Sequence, residues 1–167
     1  TVGTDGFTQS SGTFTGGTSA ITLNGPWALS GGTFTAGAQT ITANSNWTYT
    51  AGTLDAGTST VVFNASTNTT ITGSHTLNNV TFNNTTGGLS YTIASGTTLT
   101  VNGTLTISGT TWINLNTGTI AAKGDITLTN TGTSGGGSAT IEINGTGNQI
   151  LTGSGTIGQG RLPMVNI

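Results

Sequence analysis

Apolar side chains enter this chain mostly one at a time, with Thr on either side: Thr13-Phe14-Thr15, Thr40-Ile41-Thr42, Thr98-Leu99-Thr100, Thr104-Leu105-Thr106. Alternation at period two puts the apolar residues on one face of an extended strand and Thr on the other. Gly and Asn separate these phrases, and both tolerate the positive φ of tight turns. The pattern predicts short strands, about three to five residues each, joined by tight corners.

The phrases recur every twenty residues. Phe7, Trp27 and Trp47 form one column, and Gly12, Gly32 and Gly52 another. Thr13, Thr33 and Thr53 follow, then Phe14, Phe34 and Leu54. Gly17, Gly37 and Gly57 keep the register, as do Ile21, Ile41 and Val61, and then Asn24, Asn44, Asn64 and Asn84. The second half keeps the rhythm less strictly, as apolar pairs at spacing two: Leu99 with Val101, Leu105 with Ile107, Ile113 with Leu115, Ile126 with Leu128. A longer echo relates Val61-Val62-Phe63-Asn64 to Ile141-Glu142-Ile143-Asn144, and Leu77–Phe82 to Leu162–Ile167, which suggests a super-repeat of about eighty residues.

Short strands, tight corners and a fixed period read as an all-β parallel β-solenoid, one coil per repeat, forming a single domain over residues 1–167. Roughly eight coils at about 4.8 Å per strand layer give a body roughly 40 Å long. Phe7, Trp27, Trp47, Phe14, Phe34, Leu54, Ile21, Ile41 and Val61 are the expected inward stacks. The Asn column is expected to form an amide ladder at one corner. An antiparallel sandwich also uses many short strands, but it does not require columns twenty residues apart. The stretch Thr129–Ser138, with Gly135-Gly136-Gly137, reads as a surface loop between coils.

Composition fits this reading. Thr, Ser, Asn and Gly number 42, 14, 16 and 29 of 167 residues, and 32% of the chain is hydrophobic. A solenoid core is a thin column, so few apolar residues per coil suffice. Charged residues are 4% of the chain, against about 25% in an ordinary soluble domain. Lys123 and Arg161 are the only cations, which argues against nucleic-acid binding, since that needs a basic surface to displace counterions. The chain has no apolar run long enough for a membrane-spanning helix, and no Cys for disulfides or thiolate metal sites. Thr1 reads as a processed terminus or a cut inside a longer chain.

Candidate chemistry is sparse. The carboxylates Asp5, Asp55, Asp125 and Glu142 are scattered. Asp55 continues the column of Thr15 and Thr35, Glu142 lies between two inward Ile residues, and both are expected to face solvent. Asp125 is expected to pair weakly with Lys123. His75, the single His, sits in Thr72-Gly73-Ser74-His75-Thr76, which reads as a solvated polar turn. Gly153–Gly158 fits GxGxxG, but one residue in six is Gly and no helix follows. Asn-x-Ser/Thr occurs at Asn46, Asn64, Asn68, Asn79, Asn84, Asn102 and Asn144, near the number that composition alone produces. No catalytic, cofactor or metal residue emerges. A polysaccharide-active β-helix would need at least two acids gathered in one cleft.

The Thr arrays point elsewhere. Ice-binding solenoids present flat stacked Thr-x-Thr ladders, and this chain resembles them in pattern: Thr13-x-Thr15 lies under Thr33-x-Thr35. The next coil interrupts that ladder with Asp55. The neighbouring column reads Ala20-x-Thr22, Thr40-x-Thr42, Thr60-x-Val62.

In the phrases from Trp47 to Phe63 and from Gly96 to Ile107, the chain resembles the repeat regions of large secreted microbial surface proteins, the adhesin-like β-solenoid stalks and filaments. The resemblance covers nearly the whole chain. It implies export, an extracellular or cell-surface location and a structural, non-enzymatic role, with no catalytic residue carried over. Neither end has a recognisable cap, and open coil edges invite strand pairing. Leu162–Ile167 reads as an apolar strand, and Thr1-Val2-Gly3 falls in register with Ile21-Thr22-Leu23. Thr1, Val2, Leu162, Val165 and Ile167 are therefore the expected end-to-end interface with another copy of the chain, covalent or stacked; a carbohydrate or other surface ligand is compatible with this role, and the sequence does not name one.

Overall fold

The computed structural model describes residues 1–153 and 156–167. It is a parallel β-solenoid of about eight turns, roughly 21 residues apart. Each turn lays down three short strands, and successive turns stack them on three faces. The first face holds Phe7–Gln9, Trp27–Leu29, Trp47–Tyr49 and Thr69–Thr72. The leading halves of two long strands, Leu89–Val101 and Ile113–Ala122, continue it, and Gly135–Gly136 follows. The second face begins with Thr13–Thr15, Thr33–Thr35 and Thr53–Asp55. His75–Leu77 packs over them, followed by the trailing halves of the same long strands, Thr140–Ile143 and Met164–Asn166. The third face runs unbroken through Ile21–Leu23, Thr40–Ala43, Thr60–Phe63, Asn79–Asn84, Leu105–Gly109, Ile126–Leu128 and Leu151–Thr152.

The columns of twenty become spatial stacks because a parallel ladder pairs each residue with the one a full turn later. Phe7 lies opposite Trp27 and Trp27 opposite Trp47. The two indoles are stacked with centroids 3.9 Å apart, and Phe14 and Phe34 at 4.7 Å. Leu54 follows Phe34, while Ile21, Ile41 and Val61 follow one another on the third face. Phe7, Phe14, Ile21 and Leu54 are half-buried, whereas Trp27, Trp47, Phe34, Ile41 and Val61 are buried. The corner glycines serve the same stacking. Gly12, Gly32 and Gly52 all have positive φ (70°, 75° and 98°), and a Cβ on Gly32 would run into the backbone of Ser11 and Gly12 in the turn below.

Three sequence expectations need correction. Val2 pairs with Leu23, one residue away from the expected register. Within Thr129–Ser138, Gly135 and Gly136 form a strand on Ile113 and Asn114, and Asn130 is buried, so this stretch is part of the coil. The eighty-residue echo is not structural: Val61–Phe63 lies on the third face and Ile141–Ile143 on the second. Similar words recur there because both faces need the same alternation.

Trp27 and Trp47 make a controlled pair. Both are buried, but Trp47 donates its Nε1–H to His75 Nε2 at 3.0 Å, while Trp27 Nε1 has no partner. Trp27→Ala and Trp47→Ala should each lose about 3–5 kcal/mol in urea denaturation. Replacement by Phe, which keeps a ring, should cost about 1 kcal/mol more at Trp47 than at Trp27, since only Trp47 gives up a bond.

Candidate interaction surfaces

The outer surface is a set of polar columns fixed by the same register. The longest lies at the centre of the third face. There Thr22, Thr42, Val62, Thr81, Thr106, Thr127 and Thr152 lie successively opposite one another. A flanking column carries Thr40, Thr60 and Asn79. The Thr column of the second face is the interrupted one: Thr35 lies opposite Asp55. The regular array is therefore on the face that the sequence marks with Thr22, Thr42 and Val62, extended through residues whose spacing is no longer twenty.

At the corner after the third face, Asn44 Nδ2 donates to Asn24 Oδ1 at 3.1 Å and Asn83 Nδ2 to Asn64 Oδ1 at 2.6 Å. The expected ladder is thus two separate pairs, with Asn44 Oδ1 left without a partner, and the fourth position is Asn83, not Asn84, because the third-face repeat shortens to nineteen there (Val61 opposite Val80). Asn84 turns inward instead. It is fully buried, its Nδ2 donates to Gly87 O and to Trp112 O, and its Oδ1 accepts from Thr86 N–H. Asn24, Asn44 and Asn64 line a polar groove with Ser66, Thr85 and Thr86.

The ionisable groups do not converge. Asp5, Asp55 and Asp125 are exposed, and Glu142 is half-buried between Ala121 and Asn166 of neighbouring turns. Asp55 and Glu142 share the second face but lie several turns apart. The expected pair of Asp125 with Lys123 is not made: Asp125 Oδ1 accepts from Ile150 N–H at 2.9 Å, and Lys123 Nζ donates to Asn144 O at 3.2 Å. Both sit at the corner between Ile113–Ala122 and Ile126–Leu128, and each side chain bonds to backbone of the neighbouring turn. Among the described residues, no three His, Cys, Asp or Glu side chains meet where they could hold a metal. The GxGxxG match includes Ser154 and Gly155, which lie outside the described residues. Among the sequons, Asn46, Asn64, Asn68, Asn102 and Asn144 are exposed, Asn79 is half-buried and Asn84 is buried; Asn83-Asn84-Thr85 is an eighth, with Asn83 half-buried.

His75 departs most from expectation. It is buried, 8% exposed, at the start of a strand, in line with Leu99 of the next turn. Nδ1–H donates to Gly73 O at 2.6 Å and Nε2 accepts from Trp47. An indole N–H can only donate, which fixes this neutral tautomer. Burial pushes the imidazole pKa below its usual 6.5, against a smaller upward pull from Gly73. Its polar neighbours in sequence conceal that it takes an inward position of the alternation.

Both ends of the stack expose core. The end at the first turn has an apolar cavity lined by Val2, Phe7, Phe14, Ile21 and Leu23. The other end has a more open cavity lined by Ile126, Ile143, Ile150, Leu151, Val165 and Ile167. No helix among the described residues is long and apolar enough to cross a membrane. No protein-family model, curated protein or solved structure matches the chain.

The displaced Asn rung gives a direct test. Asn84→Ala removes a buried amide with three backbone partners and should cost about 2–3 kcal/mol, while Asn83→Ala at the corner should cost about 1 kcal/mol or less. Thermal denaturation of both variants measures the difference, and equal costs would restore Asn84 to the exterior ladder.

Proposed function

We propose that this chain is a structural segment of an extracellular or cell-surface rod, a β-solenoid filament subunit or adhesin stalk, whose stack is continued end to end by further solenoid. The continuation is either the same chain or a second copy. The observation that carries this reading is the open core at the terminal turns. Phe7, Phe14 and Ile21 are half-buried, while the residues they stack on are buried. Met164 is 61% exposed on the last strand. Solenoids that stay single usually close such ends with a polar cap, and unpaired strand edges template further pairing. The two ends differ in shape, so contact between them is heterologous and grows into a filament. Thr1 and Val2 at one end, and Leu162, Val165 and Ile167 at the other, are the contact residues. Sedimentation velocity and negative-stain microscopy across a concentration series test this. Rods that lengthen in multiples of one chain are expected, and Ile167→Lys should shorten them, since that side chain is fully exposed and its change leaves the fold intact. A particle that stays single at high concentration would remove stacking between copies.

The third-face column favours a second reading, an ice-binding solenoid. Six Thr and one Val, evenly spaced and uncharged, form a repeating array of hydroxyl and methyl groups suited to an ordered solid. Thermal hysteresis should then be measurable and should disappear in Thr81→Tyr, which breaks the array at its middle. Absence of hysteresis in the unaltered chain would end this reading.

A further inference from the structure

We infer that the seam between the third and fourth turns is an acid-sensitive joint, held closed by neutral His75. The seam is where the second-face ladder is interrupted. Thr53–Asp55 closes a three-stranded sheet with Thr13–Thr15 and Thr33–Thr35, while His75–Leu77 pairs only upward, with Leu99–Val101. Backbone pairing crosses this seam on the first face, Trp47 to Ile71, and on the third, Val61 to Val80. On the second face the crossing is made by side chains. The Trp47 indole donates across it to His75, and the Tyr49 ring lies 5.5 Å from the imidazole.

Protonation defeats this arrangement twice. Nε2 changes from acceptor to donor and faces the indole N–H, a second donor. A positive charge also appears in a site that offers little to balance it. On the third turn, Tyr49 commits its hydroxyl to Gly52 O, and Asp55 is exposed with Oδ1 accepting from Gly57 N–H. On the turn above, Leu89–Val101 carries no charge, and the Tyr91 hydroxyl is held at Asn83 O. Thr97 accepts from Gly73 N–H.

The sign follows from the direction of the shift. A pKa depressed in the folded state means that the unfolded or opened state binds the proton more readily. The joint is therefore fully closed above about pH 6.5, the ordinary His value, and weakens as pH falls from there to the lower folded value, where the loss is complete. In a stack, each turn contacts only its neighbours, so opening this seam loosens the third turn from the fourth and leaves distant turns intact. His75 is the only His in the chain, so no other side chain has an unperturbed pKa in this range.

Hydrogen exchange read by mass spectrometry at pH 7.5 and pH 5, corrected for intrinsic rates, tests the joint. Amides of residues 47–55 and 73–77 should lose protection by up to about tenfold per pH unit between about pH 6.5 and the lower folded value, and no further below it, while residues 105–109 keep theirs. His75→Leu, which copies Leu99 above it, should make the seam insensitive to pH, and His75→Gln should do the same if the Leu variant folds poorly. The single imidazole should titrate below 6.5 by NMR. Equal protection at both pH values, an undiminished acid response in the variants, or titration at or above 6.5 would overturn the inference.

Discussion

Parallel pairing of each turn with the turn beneath it is the constraint on which the rest of the molecule depends. Such a ladder fixes the vertical neighbour of every residue by turn length alone. Where turns are equal, like falls on like: indole on indole, phenyl on phenyl, Thr on Thr. The same register makes the core a narrow column, filled by a few large side chains per turn, so a third of the chain being apolar is enough. It also makes the exterior periodic, since the residue between two inward side chains is always outward. The surface columns are thus a consequence of core stacking, and any role they have is built on it.

The seam after the third turn shows what happens when turn length changes. On the first face the repeat stretches from twenty to twenty-four, Trp47 to Ile71, while on the third it contracts to nineteen, Val61 to Val80. The added residues enter the corner before Thr69. The corner between the second and third faces shrinks to the single residue Asn78, where four residues separate Asp55 from Thr60 one turn earlier. The second-face strand between these opposed slips cannot stay in register, and its pairing is lost. A donor and acceptor on rigid rings then supply the alignment that the backbone no longer provides.

The same slip divides what could be read from the sequence from what could not. Through Val61 the turns are equal, so the period alone orders the three faces and their stacks. Past Asn64 the period varies, and residues had to be placed by local alternation, which is the same on every face. That is why the Asn column was carried to Asn84 when the geometry puts Asn83 there. It is also why two matching phrases eighty residues apart suggested a higher repeat although they lie on different faces. The third-face Thr array was legible only in its first three members for the same reason. His75 was hidden by composition: Gly, Ser and Thr around it signal a corner, and only the inward position of Leu99 one turn later reveals its direction.

Trp27 and Trp47 show why a hydrogen bond matters more at one interface than at another. Between the second and third turns all three faces are paired. Trp27 leaves its N–H without a partner there, and stacking with full backbone pairing offsets the penalty of an orphaned donor. One turn later a ladder is missing, and an orphaned donor would add to a loss already taken. Satisfying it requires an acceptor beside the edge of the indole and close to its plane, and the imidazole lies there at an interplanar angle of 22° with ring centroids 6.3 Å apart. A Leu in that place would pack but could not accept, and a carboxylate would accept but would bring a charge into the core. The residue that meets both demands is also the one whose acceptor is removed by a single proton, so repair of the seam and its sensitivity to acid have the same physical origin.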